Sequence, residues 1–439
     1  MTSHRKRDTM HRSIRAIAGI GACAALLTGC AFGGGGATEA TTDPDEDVTL
    51  TFQSLAFQDA TIQATQDIVD AWNADHPETQ VDVVQGSWDN VHDQLVTQFQ
   101  GGEAPDIIHN EASDMTGFAQ DGYLADLSPY LSDDVVDSVG QGIWDSVSIG
   151  DEVFAAPTVM QSYVVFANTA AFEAAGVDVP TGDELSWDAL RETAQQLTAD
   201  GSFGLGWGLR QPTAPFMNLA LGFDGTFFDV ADDGSATIDV GEGELAVPEA
   251  VHAMAYEDAS LDPVTLTQSG GDVLPGFLGG QYAMYVGGSY LAQQIADSAP
   301  EGFEWTVLPP LAGSNGSAQG TSPQTLSVPA ESEHVDRAAA FIDYFMQADN
   351  LAAIGEGDCL IPASETARAE LETATEGQTG WAEMLASGST LEAAPFQLAS
   401  DYPQWKDQYA TPAFQEYLAG TITLEELQQR LADGWDQVG

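Results

Sequence analysis

Positive charge is scarce in this 439-residue chain. Eleven Lys and Arg stand against 68 Asp and Glu, for a formal net charge of −57. Five of the eleven (Arg5, Lys6, Arg7, Arg12 and Arg15) fall in the first fifteen residues, which leaves six for the rest. Such a surface repels phosphate backbones and anionic headgroups, so nucleic acid is excluded as a partner. It also disfavours an anionic ligand unless a basic residue is placed for it. An acid-biased proteome would produce the same excess, so the charge says little about function. The two lysines, Lys6 and Lys406, do not follow glycine, and the glycines at 204, 206 and 208 have the wrong spacing for a dinucleotide fingerprint. Nucleotide binding through these loops is therefore excluded. Histidines 76, 92, 109, 252 and 334 are scattered, with no H-x-x-x-H pair. Asp43, Asp45 and Asp47 begin like a calcium loop, but Val48 and Ser54 stand where its glycine and glutamate belong. No metal or other cofactor is expected.

Cysteine is almost as rare, with three in all: Cys23, Cys30 and Cys359. The basic stretch is followed by an apolar run from Ala16 to Leu27, too short to span a bilayer and typical of a secretory leader. It ends in Leu27-Thr28-Gly29-Cys30, which resembles a bacterial lipobox. That resemblance implies a signal peptide at 1–29, cleavage before Cys30 and a lipid on its sulfur, a palmitate-bearing lipoprotein anchor. Either Met1 or Met10 would serve as the start. Residues 30–46, small and polar, read as a flexible tether. With Cys23 lost and Cys30 lipidated, Cys359 has no partner for an internal disulfide. No later stretch approaches the ~18 apolar residues a transmembrane helix needs.

From Val48 onward, short apolar runs alternate with amphipathic stretches, which points to an α/β protein. "VTLTFQSL", "TQVDVVQGS" and "APDIIHN" read as strands. The helix between the first two directs Ile62, Ile68, Val69 and Trp72 to the core and stops at Pro77; Gly101-Gly102 ends the next. Asp232-Asp233-Gly234-Ser235, between two alternating runs, signals a hairpin. "DRAAAFIDYFMQ" and "TLEELQQRLADGWDQ" read as amphipathic helices. In an open α/β sheet, chemistry collects in loops beyond the carboxyl ends of strands.

Gly287-Gly288-Ser289-Tyr290-Leu291 matches a hydrolase nucleophile elbow at four of five positions, with Leu291 in place of the last glycine. The only later histidine is His334, just before an amphipathic helix. The glycines are better read as letting the backbone approach a cleft, with Ser289 capping a helix and Tyr290 facing a ligand. A carboxylate pair for glycoside hydrolysis is defined in space and stays open here. A secreted carbohydrate-active hydrolase is the alternative reading.

Taken in order, the lipobox, "GGEAPDIIHN", "DGYLADLSPYL", "GDEVFAAPTVMQSYVVFANTAAFEAAG", "SWDAL", "FLGGQYAMYVGGSY", "WTVLPPLAG" and the C-terminal helices resemble the sugar-binding group (family 1) of extracellular solute-binding proteins of ABC importers. The family usually has Tyr-Asn where this chain has Phe166-Ala167-Asn168. The resemblance implies a two-lobed periplasmic-binding-protein-like fold of type II, its lobes joined by three crossing segments near 157–163, 312–320 and 355–362. Lobe one would hold 47–158 and 320–360, and lobe two 159–319 and 361–439. It implies a monomeric, non-catalytic protein on the extracellular face of the cell membrane. Such a protein captures a carbohydrate and delivers it to transmembrane permease subunits.

Candidate ligand residues lie at strand ends. Phe57 and Gln58 follow the first strand. Trp88, after the second, would stack on a sugar or staple a helix start. Glu111 and Asp114 follow the third, where Asp114 would otherwise cap a helix. Gln161 stands in the first crossing, at a position that in the family often hydrogen-bonds sugar. Trp207 and Arg210 share a glycine-rich turn; Arg210 suits a hydroxyl pair, a uronic carboxylate or a neighbouring aspartate. Tyr290 takes the place of a tryptophan that many relatives stack on sugar, and Gln324 lies in a loop that lines the family's cleft.

Overall fold

The computed structural model describes residues 47–231 and 235–438. The leader, the lipobox with Cys30, the whole of the tether and the turn 232–234 lie outside the described residues. Strand β1 (Val48–Ser54), helix α1 (Asp59–Asp75), strand β2 (Thr79–Gln85), helix α2 (Val91–Gly101), strand β3 (Ile107–Glu111) and helix α3 (Ala112–Gln120) follow the expected β-α-β-α-β order. Leu50, Phe52, Ile107 and Ile108 are fully buried between flanking helices, so these strands tolerate apolar residues on both faces. Gly102 ends α2 in the left-handed conformation with φ +65°, donating to Gln98 and Phe99 carbonyls.

The first sheet runs β2-β1-β3 in parallel, extended by antiparallel strands Gln324–Ser327 and Ala156–Pro157. Its core gathers Phe52, Trp72, Phe341 and Phe345. α1 presents Ile68, Val69 and Trp72 to this core, but Ile62 is 39% exposed. The inward positions at the start of the helix are taken by Thr61 and Thr65, which continue the face of Ile68 and Trp72 toward the N-terminus.

The second sheet places Tyr163–Asn168 between Tyr282–Gly288 and Trp305–Val307, with Phe203–Trp207 on the far edge of Tyr282–Gly288. Every residue of Tyr163–Asn168 is buried. Strand alternation explains this: Val165 and Ala167 face one apolar cluster, and Val164 and Phe166 face another. The larger cluster holds Trp187, Trp207, Phe216, Phe414 and Trp405; the smaller holds Phe277, Tyr285 and Trp381. Two sheets with separate cores make two lobes.

The chain passes between the lobes three times. It leaves the first sheet after Pro157 and enters the second at Tyr163. It returns between Leu311–Ala312, paired with Leu185–Ser186, and Gln324, where the first sheet resumes. The third passage runs through Ile361–Pro362, which pairs antiparallel with Val159–Met160 of the first. Gln319 ties two passages together: its side chain accepts from Tyr163 N at 2.9 Å and donates to Tyr163 O at 3.2 Å. Strands Phe228–Val230 and Ala236–Ile238 pair antiparallel as the hairpin signal implied. Among the described residues, no helix is long and apolar enough to cross a membrane.

Candidate functional site

The ends of β2 and β3 open onto a cavity of about 560 Å³. One wall is the first lobe, with Trp88, His92, Asn110, Glu111 and Asp114; the other is Gln211, Ala214, Tyr402, Lys406 and Asp407. Gln211 and Ala214 are shared with a second cavity of about 300 Å³, lined by Gln161, Tyr163, Arg210 and Tyr290. On the other side, Trp88 and Asp89 also border a groove that holds Phe57 and Ile62. The three spaces therefore adjoin one another, with shared residues in their walls.

Each predicted residue has a definite place. Phe57 is 49% exposed, its ring edge-on to Tyr290 with centroids 6.1 Å apart, so an aromatic from each lobe meets at the cleft. Tyr290 is half-buried in the second cavity. Glycine at 288 makes room for it, because a Cβ there would come within 2.6 Å of the Tyr290 ring and 3.1 Å of Gln161 Oε1. Gln161 donates from Nε2 to the Tyr163 hydroxyl at 3.4 Å. Trp88 lies edge-on to His109 at 5.5 Å and lines two of the spaces. Asp114 caps no backbone amide; its carboxylate accepts from Asn110 Nδ2 at 2.6 Å and pairs with His92 Nδ1 at 2.8 Å. That hydrogen bond raises the His92 pKa above its ordinary value.

Glu111 forms the floor of the large cavity. Burial pushes its carboxyl up to about 7, only partly offset by the Lys406 ammonium, and Asp114 adds to the rise. Arg210 is exposed at the rim, its guanidinium 3.7 Å from Asp272. Trp207 touches the second cavity but is only 1% exposed, packed edge-on to Phe216, so in this conformation its faces are taken up by the core.

Gln58 and Gln324 serve neighbours. Gln58 is buried and donates to Asp358 Oδ1 at 3.0 Å, beside Thr61, whose hydroxyl donates to the same oxygen. Gln324 Oε1 accepts from His109 Nε2 at 2.9 Å, while His109 Nδ1 accepts from Leu55 N. That pattern requires the neutral imidazole, and burial lowers His109 to about 4.

Ser289 corrects the expectation of a capping hydroxyl. It is fully buried, its Oγ lacks a hydrogen-bond partner, and only its carbonyl accepts, from Ala292 N. Among the described residues no base hydrogen-bonds this buried hydroxyl, so Ser289 lacks both the access and the activation a nucleophile needs.

Sequence reasoning missed His92, Asn110, Gln211, Tyr402, Lys406 and Asp407. The last three sit where helix Tyr402–Trp405 passes through a π-turn, Lys406–Ala410, into helix Thr411–Leu418. Such wide turns often mark functional positions. The available signal was Lys406 itself, the only lysine beyond the leader. It lies over the Tyr402 ring at 5.9 Å and 3.9 Å from Asp407.

The model of the bacterial extracellular solute-binding proteins matches residues 59–352. The chain belongs to that family. It is a binding protein, not an enzyme. An uncharacterized lipoprotein in the oleD 5′ region of Streptomyces antibioticus is 40% identical over 406 residues, covering 92% of this chain and 88% of that one. Among solved structures, the GacH receptor of Streptomyces glaucescens, determined unliganded and with acarbose, superposes with a TM-score of 0.74 at 21% identity, covering 89% of this chain and 98% of that one. The substrate-binding protein Lmo0181 of Listeria monocytogenes, in complex with cycloalternan, gives 0.76 at 20% identity, with 89% and 98% covered. Maltose-bound MalE3 of T. maritima gives 0.75 at 18%, with 89% and 100% covered. These likenesses establish the two-lobed type II fold of the binding protein.

Proposed function

We propose that this binding protein captures a carbohydrate between its lobes and delivers it to the permease subunits of an ABC importer. The supporting observation is the cleft itself. Aromatic surface at Phe57, Trp88 and Tyr290 stands beside amides, carboxylates and an ammonium contributed by both lobes. Sugars need both kinds of surface, because their ring faces lie on aromatics and their hydroxyls need fixed donors and acceptors. A closed cleft also penalises a missing hydroxyl by leaving a polar partner unpaired, at about 1–3 kcal/mol each. Ligand contacts to both lobes would favour the closed population. The acarbose, cycloalternan and maltose complexes of the structural neighbours support this class of ligand.

Phe57, Gln58, Trp88, Glu111, Asp114, Gln161, Trp207, Arg210, Tyr290 and Gln324 form the ligand set of this reading, with Gln58 and Gln324 acting through neighbours. Lobe one takes 47–158 and 320–360, and lobe two takes 159–319 and 361–439. In this reading the mature chain is a monomer tethered by lipid on Cys30, and the lipoprotein name of its 40% identical relative supports the tether alone.

The test is titration calorimetry over a panel of mono- and oligosaccharides, with product analysis after incubation. Binding of one sugar group without turnover is expected. Binding of peptides or polyamines and no sugar would refute the ligand class. Cys30→Ala is expected to release the protein from membranes into the medium.

A further inference from the structure

The large cavity between the lobes carries a carboxyl that nothing in the fold uses. Among the described residues, Glu111 makes no side-chain hydrogen bond and no ion pair, although it is half-buried in the wall of the cavity between the lobes. The groups facing it come from every surrounding element: Asp114 and its partner His92 on the first lobe, Tyr163 from the second sheet, Tyr402 from helix Tyr402–Trp405, and Lys406 and Asp407 from the π-turn after it. Each is committed elsewhere or neutral. Asp114 is satisfied by His92 and Asn110. Lys406 lies beside Asp407 and over the Tyr402 ring. Burial keeps both tyrosines protonated.

The general acidity of the chain does not account for this carboxyl. Acidic residues on an open surface stay hydrated at little cost, whereas an unpaired one half-withdrawn from water in a cavity opposes its own ionisation. A group held at such a cost inside a cleft marks a functional position, and a carboxylate recognises a cation most strongly. Asp89, Asp93 and Asp407 border the same cavity, against the lone ammonium of Lys406.

We propose that the preferred ligand is a carbohydrate bearing a basic amine, an amino sugar or amino-oligosaccharide whose ammonium pairs with Glu111. This rests on the carbohydrate reading above and narrows it. An incoming ammonium supplies the missing partner, favours the ionised carboxylate and releases the proton that Glu111 holds near neutral pH. A neutral sugar in the same place would leave the carboxyl to one hydroxyl.

The experiment is calorimetry of the mature chain at pH 7 with oligosaccharides in matched pairs, free amine against N-acetylated, together with neutral malto-oligosaccharides. At least a tenfold preference for a free-amine member over its acetylated partner is expected. That preference should shrink at pH 5, where Glu111 is protonated, and vanish in Glu111→Gln. Binding of neutral or acetylated sugars as tight as that of the amines would overturn the proposal and leave the carbohydrate reading standing. So would a preference that survives Glu111→Gln unchanged. Failure of every sugar to bind would overturn both. The wild-type comparison needs no variant, so a misfolded Glu111→Gln would not remove the test.

Discussion

Glu111 and His109 lie two residues apart on β3 and push stability in opposite directions as pH changes. Glu111 has its pKa raised to about 7 in the folded state from a reference of 4.5. Between those values the folded state binds more protons than the unfolded, so stability falls as pH rises. His109 is lowered to about 4 from 6.5. Between those values the unfolded state binds more protons, so stability rises with pH. Each displacement corresponds to roughly 3 kcal/mol at about 1.4 kcal/mol per pH unit. In the wild type the two slopes nearly cancel between pH 4.5 and 6.5. Glu111→Gln removes one of them without removing an internal hydrogen bond. Urea unfolding of wild type and variant should therefore agree best near pH 4.5. The variant should gain relative stability up to pH 7, by an amount on the order of 3 kcal/mol. Parallel pH profiles would refute the claim that the cleft holds Glu111 partly protonated.

Other outcomes follow from burial. Trp207→Ala should destabilise by about 3–5 kcal/mol, because it empties space between the Phe216 and Trp187 rings; a small loss in thermal unfolding would mean the indole is held loosely enough to serve the ligand. Ser289→Ala, which removes a buried hydroxyl without a partner, should stay within about 1 kcal/mol of wild type and leave ligand affinity unchanged in calorimetry. The Cys359 thiol is buried and pushed up to about 12. It should resist iodoacetamide at pH 8 in the native protein and react once denatured.

Much of the fold was legible because its signals are local. The strand-helix alternation from Val48 to Gln120, the glycine stop at Gly102 and the hairpin around Ser235 each depend on a few neighbouring residues. The candidate site was legible in part. Loops at the ends of β2 and β3 were the right place to look, and Trp88, Glu111 and Asp114 do border one cavity. Gln58 and Trp207 stand at equally suggestive positions, yet one binds Asp358 and the other packs in the core. Ile62 misled in the opposite sense, apolar and periodic but facing outward.

The sequence by itself determined that the chain is α/β, acidic, without metal or nucleotide motifs, and similar in its ordered segments to solute-binding proteins. Only the tertiary structure decided that segments near 90, 111, 211 and 406 share one cavity. Periodicity is a property of neighbours along the chain. Burial and electrostatic environment depend on segments hundreds of residues apart, which is why Glu111 looks ordinary in the sequence and is strained toward its protonated form in the fold.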